Sequence, residues 1–241
     1  YAAIAAGLPF SVSGQTVDRQ CSSSLMAIAI AAKQVMFDGM NIVVAGGQEN
    51  ISALQNRYFE WAQEDLDPDV VKIAPHAYMS MLETAEFVAN KYGVSRDAQD
   101  AFSLESQIRT AAAQKEGRFD AEIVPVTTTM SVVDKGTGAK VEKLVTLAQD
   151  EGNRPSTTLA DLAKLKTVIE GGTVTAGNAS QLSDGASACV LMRGSLAESR
   201  GLTPLGIYRG ISVAGCPPEE MGLGPIYAVP KLLRQHGLKV S

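Results

Sequence analysis

The sequence predicts an α/β fold interrupted by an inserted α+β block, and three observations carry that reading. Ser11 to Arg19 alternates loosely, Ser22 to Phe37 is apolar nearly all round, and Asn41 to Ala45 is a short apolar run. Together they read as strand, turn, buried helix and strand, a βαβ-like unit. After Ile51 that texture stops, and aromatics, acids, Pro68 and Pro75 follow without a clear period. At Thr173 the α/β texture returns, with Ala186 to Met192 as an apolar strand.

Each element has a local cause. Residues 2 to 6 are rich in Ala and Ile and stop at Gly7 and Pro9, as the tail of a helix does. The helix from Ser22 closes at Asp38-Gly39, and its lack of a polar face places it inside the protein. Asn41 to Ala45 is bounded by Gly46-Gly47, which suits a buried strand. In the middle block, Ser80 and Glu83 form the spacing of a capping box, and Gly93 closes that helix. Ser95 can cap the next helix, which runs through three alanines to Gly117. Residues 122 to 148 read as β-rich, with Gly136 and Gly138 as turn residues. Thr157 to Lys166 suggests a short amphipathic helix. Beyond Met192, Ser195 to Glu198 starts a capped helix that ends at Gly201, and Leu205 to Ala214 reads as a strand. Pro225 suits a first helical residue, and Gly237 ends that helix.

The bulk properties narrow the function. The 241 residues are 45% hydrophobic and 20% charged, enough for a sizeable core. A net charge of −5 with no basic run argues against nucleic-acid or anionic-membrane binding. The longest apolar stretch, Leu25 to Ala32, is too short to span a bilayer. Cys21, Cys189 and Cys216 are widely spaced and form no C-x-x-C pair, so no metal site or disulfide framework is expected. Free thiols suit a reducing compartment, here the cytoplasm or, in a eukaryote, an organelle matrix. The abrupt start at Tyr1 and the end at Ser241 both read as cuts through a fold.

Asp18-Arg19-Gln20-Cys21-Ser22-Ser23-Ser24 sits between the first expected strand and the buried helix. A thiol there meets unpaired N–H groups and the positive end of the helix dipole, and both favour its thiolate. A thiolate attacks and leaves well, so it suits acyl transfer through a thioester. The N–H of Cys21 would face a developing oxyanion. From these residues alone two readings stand: a nucleophile, or a buried structural cysteine, the commoner fate of a free thiol.

Asp18 to Leu25 (D-R-Q-C-S-S-S-L) resembles the nucleophile motif of the thiolase family, usually N-R-Q-C-S-S-G-L. Gly46 to Ser52 resembles that family's G-G-x-E-S-M-S loop. Met81 to Gln107 resembles the paired helices of its loop domain. Gly172 to Ala186 (G-T-V-T-A-G-N-A-S-Q-L-S-D-G-A) is close to its G-T-V-T-A-G-N-A-S-G-x-x-D-G-A, and Met221 to Pro225 matches M-G-x-G-P. The blocks come in family order along nearly the whole chain.

The resemblance implies a thiolase-like fold with duplicated halves of sheets covered by helices. Residues 1–51 and 183–200 would form the N-terminal half, 52–182 a loop domain over the coenzyme A site, and 201–241 the start of the second half. Coenzyme A and its thioesters are then substrates, no cofactor or metal is needed, and the assembly is a homodimer or homotetramer. Cys21 would accept the acyl group. Ser180 matches the position that hydrogen-bonds the pantetheine arm, Met81 the acyl end, and Lys166 a position that often carries Arg near the coenzyme's phosphates. The reaction is the reversible cleavage of a 3-ketoacyl-CoA by CoA.

Three departures stand out. Ser24 replaces the usual Gly, Gln181 replaces the Gly after N-A-S, and Ser80 stands where short-chain biosynthetic thiolases carry His. The last favours a degradative or broader 3-ketoacyl thiolase. The family's N-E-A-F segment, its G-H-P histidine and its second cysteine in C-x-G-G-G have no match in these residues, so the 241 residues alone are expected to be inactive. His76 and His236 are the only histidines, and neither has the motif's setting. Two alternatives remain: a β-ketoacyl synthase-like condensing enzyme, favoured by C-S-S-S at Cys21, and a non-catalytic acyl-CoA- or lipid-binding relative.

Overall fold

In chain order the elements are α1 (Ala2–Ala5), a 3₁₀ turn (Gln20–Ser22), α2 (Ser23–Phe37), β1 (Ile42–Glu49), α3 (Ile51–Glu64), α4 (Pro68–Ile73), α5 (Met81–Tyr92) and α6 (Arg96–Lys115). They continue with β2 (Val126–Val133), β3 (Lys140–Leu147), α7 (Leu159–Ala163), β4 (Gly185–Met192), α8 (Gly194–Ser199), a second 3₁₀ segment (Pro218–Leu223) and α9 (Gly224–Gln235). The computed structural model describes residues 1–240, apart from the side chains of residues 55, 56, 59, 62 and 63 within α3. The terminal Ser241 lies outside the described residues. Contacts divide the chain into two units. Unit one is Tyr1–Asp65, Leu182–Gly215 and the segment from Leu223 onward, and unit two is Leu66–Gln181 with Cys216–Gly222.

In unit one, β1 pairs antiparallel with β4, from Ile42 opposite Met192 to Glu49 opposite Gly185. The helix α2 packs on both strands. Its contact face is small: Ala29, Ala31, Ala32 and Val35 are buried, while Leu25, Met36 and Phe37 are exposed. The expectation of a helix buried all round is therefore corrected to one buried on a single face. Alanines bring the backbones close, and two glycines on β1 complete the fit. A Cβ on Gly47 would run into the Ser24 hydroxyl, and one on Gly46 into the Ser187 carbonyl. Ser24, which stands in place of the usual small residue, is accommodated because the strand beneath it has no side chain.

The βαβ expectation is also corrected. Ser11–Arg19 and Leu205–Ala214 form no strand among the described residues, and the neighbour of β1 is antiparallel. Alternating side chains permit an extended backbone, but a strand exists only where a second backbone completes the ladder. Two helices escaped the periodicity reading, and both are set by caps. Asn50 accepts the Ala53 N–H at the start of α3 (3.2 Å). Asp67 accepts those of Asp69 and Val70 at the start of α4, with Pro68 in its first turn. The carboxylate of Asp184, just before β4, takes the Ser52 N–H at 2.9 Å and so joins the G-G-Q-E-N-I-S and D-G-A segments.

Unit two contains the capped helices as expected. Ser80 Oγ accepts the Glu83 N–H, Glu83 accepts the Ser80 N–H at 2.8 Å, and α5 ends on Gly93 in the left-handed region at φ 65°. Ser95 caps α6 by accepting the Ala98 N–H. The β-rich segment is a single hairpin, β2–β3, turned by Asp134, whose carboxylate accepts the N–H groups of Gly136 and Thr137. Thr158 caps α7. The segment 216–222 is fastened to unit two by the Glu220 carboxylate, only 4% exposed, which pairs with the Lys91 ammonium and accepts the Tyr92 hydroxyl at 3.3 Å. Hydrogen bonding to Glu220, ahead of the coulombic attraction, raises the pKa of Lys91.

The Ser24–Gly47 contact predicts a matched pair of variants. Gly47→Ala should destabilise the chain by about 1–3 kcal/mol through overpacking. Adding Ser24→Gly should recover most of that loss in urea unfolding. A Gly47→Ala midpoint equal to that of the parent would refute the packing.

Candidate active site

Cys21 is exposed and lies in the 3₁₀ turn that leads into α2. The turn is wound by its own side chains. Asp18 Oδ1 accepts the Gln20 N–H at 2.8 Å, Ser23 Oγ accepts the Arg19 N–H at 2.8 Å, and Ser23 Oγ in turn donates to the Gln20 carbonyl at 2.6 Å. An asparagine at position 18 would present the same acceptor oxygen, so the departure to Asp keeps the turn. The residue before the cysteine, Gln20, is the one described non-glycine residue at positive φ, 50°. Non-glycine residues at positive φ are uncommon, and their strain clusters at functional positions. Ser22, in the N-cap position of α2, makes no capping bond, since its hydroxyl donates to the Arg19 carbonyl. The first N–H of α2, that of Ser23, is taken instead by the Gln20 carbonyl of the preceding turn.

In unit two the segment from Gly172 to Gln181 is a polar loop held by α5 and α6. Glu86 accepts the N–H groups of Thr173 and Val174, both at 2.7 Å, and the Thr173 hydroxyl at 2.9 Å. Burial alone would raise the Glu86 pKa, but the bonds from Val174 and Thr173 outweigh it and hold the carboxyl below its ordinary value. Gln99 donates to Thr173 Oγ1 at 2.8 Å. Asp100, 4% exposed, divides its oxygens between Arg96 Nε at 2.7 Å and Asn178 Nδ2 at 3.0 Å. Asn178 also accepts the N–H of the fully buried Thr175. Arg96 reaches on to the carbonyls of Leu162 and Leu165, fixing the end of α7.

Beside this loop lies an open cleft of about 510 Å³, lined among others by Gln107, Arg154, Leu162, Leu165, Ala179 and Gln181. Cys21 belongs to unit one, whereas Ser180, Met81 and Lys166 belong to unit two. None of those three lines the cleft, although Ala179 and Gln181 flank Ser180 and Leu165 precedes Lys166. Ser180 and Lys166 are exposed, and Met81 opens α5 with 59% of its surface exposed. Gln107 and Arg154 were not singled out from the sequence, although Gln107 closes the Met81–Gln107 block quoted above. His76 stands 3.5 Å from Glu219, and His236 Nε2 has no hydrogen-bond partner among the described residues. Among the described residues no cluster of three His, Cys, Asp or Glu could hold a metal.

A family model described as "Thiolase, N-terminal domain" matches residues 1–195. The chain belongs to the thiolase family. It is 44% identical over 237 residues to a 3-ketoacyl-CoA thiolase of Bacillus subtilis, covering 98% of this chain and 60% of that one. It is 44% identical over 243 residues to a peroxisomal 3-ketoacyl-CoA thiolase of Homo sapiens, covering 97% of this chain and 54% of that one. Among solved structures, the dimeric peroxisomal thiolase of Saccharomyces cerevisiae superposes with a TM-score of 0.82 at 33% identity, over 99% of this chain and 58% of that one. An acetyl-CoA acetyltransferase of Bacillus anthracis gives 0.81 at 37% identity, over 99% and 60%. The chain thus has a thiolase-like α/β fold and spans little more than half the length of these relatives.

The loop braces give two predictions. Asp100→Ala removes the partner that Arg96 and Asn178 share and leaves each with backbone carbonyls only, and should cost about 1–3 kcal/mol in urea unfolding. An unchanged midpoint would show that the knot contributes nothing. Because the Glu86 pKa is lowered on folding, its contribution is full at neutral pH and fades as pH falls below the ordinary value of 4.5. Hydrogen exchange at the Thr173 and Val174 amides should therefore lose protection in acid sooner than in a Glu86→Gln variant, which has no such titration.

Proposed function

We propose that this chain is the nucleophile- and coenzyme A-bearing part of an acyl-CoA:acetyl-CoA acyltransferase that cleaves 3-ketoacyl-CoA. The observation that carries the reading is the exposed Cys21 at the head of α2 in a chain of the thiolase family. In cleavage the sulfur adds to the 3-keto carbon and the C2–C3 bond breaks. Acetyl-CoA leaves as its carbanion and takes a proton, and the acyl group stays on sulfur as a thioester. A CoA thiol gives up its proton and attacks that thioester, releasing the shortened acyl-CoA and the cysteine. The reverse sequence is the Claisen condensation.

The chain's residues take the following parts. Cys21 is the nucleophile, and its own backbone N–H faces the tetrahedral oxyanion. Ser180 binds the pantetheine arm, Met81 borders the acyl end and Lys166 meets the phosphates. The cleft in unit two supports the coenzyme's placement there, because its wall includes both neighbours of Ser180. Residues 52–182 are assigned to the loop domain, 1–51 and 183–200 to the N-terminal half, and 201–241 to the second half. Both proton transfers need an acid–base pair, and neither histidine in these residues is followed by proline as in the G-H-P motif. The 241 residues alone are therefore assigned no turnover.

A 3-ketoacyl thiolase rather than a short-chain biosynthetic one is favoured by Ser80, which serves the α5 cap, and by relatives bearing that name. A dimer or tetramer is supported by the dimeric yeast neighbour. No helix among the described residues is long and apolar enough to cross a membrane. Placement in the cytoplasm or an organelle matrix fits the free thiols, and peroxisomal relatives favour the latter for a eukaryotic source.

The test is mass spectrometry after incubation with acetyl-CoA. An acetyl adduct on Cys21, absent from Cys21→Ser, is expected, together with no thiolysis of acetoacetyl-CoA by the isolated chain. Iodoacetamide should label Cys21 faster than Cys189 or Cys216. An adduct confined to another residue, or slower labelling of Cys21, overturns the assignment.

A further inference from the structure

We propose that Gln181 is a positioning residue for coenzyme A: its side-chain amide fixes the Ser180 loop and sets the width of the cleft beside it. The inference rests on the coenzyme A reading of that cleft. Gln181 stands where the motif that the sequence resembles has glycine. Its Nε2 donates a hydrogen bond to the Gly152 carbonyl, 29 residues away in sequence. Gly152 leaves room for the amide, since a Cβ there would run into Gln181 Oε1.

The segment that receives this bond is anchored from the other side as well. Gln107 of α6 accepts the Asn153 side-chain N–H at 2.8 Å and the Arg154 backbone N–H at 2.7 Å through its side-chain oxygen. Its backbone carbonyl accepts a second bond from Asn153 Nδ2 at 2.9 Å. Residues 152–154 are thus held between α6 and the Ser180 loop, and Gln107, Arg154 and Gln181 all line the cleft. Ser180 is the next residue to the tie. Its own hydroxyl makes only a long 3.5 Å contact with the Gln181 carbonyl, which leaves it able to meet a ligand. With glycine at 181 the wall would lose its crosslink, and the Ser180 loop would be ordered only at the moment of binding, at a cost to affinity.

The experiment is calorimetric titration of the 241-residue chain with coenzyme A and, separately, with uncharged pantetheine. Gln181→Glu keeps the volume but removes the donor, Gln181→Gly restores the usual residue, and Gly152→Ala displaces the amide from the opposite side. Each should weaken both ligands by about three- to tenfold, the range of one hydrogen bond. The Gln181→Glu, Gly152→Ala double variant should lose no more than the larger single loss, because both break one tie. A purely structural role would lower the urea midpoint and leave pantetheine affinity unchanged. Parent chain that binds both ligands while the Gln181 variants bind as well or better overturns this inference alone. Parent chain that binds neither ligand overturns the coenzyme A reading of the cleft, and the inference with it.

Discussion

Unit two is organised by a carboxylate with almost no access to water. Asp100 is viable there because both of its oxygens are engaged, one by a guanidinium and one by an amide. Through Arg96 it fixes the end of α7, and through Asn178 it fixes the loop that contains Ser180. A loop of glycine, alanine, threonine and asparagine has too little hydrocarbon to hold itself inside a protein. Its buried polar groups must be met one by one, and Glu86, Gln99 and Asp100 meet them. Polar networks of this kind specify one arrangement, because every near alternative leaves a buried group unpaired.

Unit one reaches the same end by subtraction. The helix that follows Cys21 comes close to its strands because its contact face is alanine and the strand beneath presents glycines. Close approach sets the height of the helix start over the sheet, and the turn before it is then wound by Asp18 and Ser23. The tension in this arrangement is concentrated at Gln20, whose backbone sits in a region that glycine or asparagine enters more readily.

The sequence was legible where a single residue type decides the local structure. Ser80 with Glu83, Ser95, Gly93 and Pro225 fixed helix ends, and each is seen in its role. Asn50 and Asp67-Pro68 are equally good starts, but the helices behind them lack a clean apolar stripe, so periodicity passed over them. The strand expectations at 11–19 and 205–214 failed for another reason. Alternation reports which faces differ, whereas pairing depends on a second segment that no local pattern names. The same limit applied to the site. Cys21 was visible from its neighbours, and Ser180 from a motif. The cleft-lining roles of Gln107, Arg154 and Gln181 arise from pairings across 29 to 47 residues. Ser195 illustrates a smaller miss: Arg193 holds the cap position of α8 and makes no capping bond.

The interleaving of the two units bears on synthesis. Lys91 meets Glu220 across 129 residues, and Ser52 meets Asp184 across 132. A ribosome that makes the chain from its N-terminus exposes α5 and β1 long before their partners exist. Neither unit can close until much of the other has emerged, so β1 waits without its partner strand while the residues between it and β4 are made. Long-range closure of this kind slows folding and lengthens the interval in which chaperones or a neighbouring nascent chain can engage it.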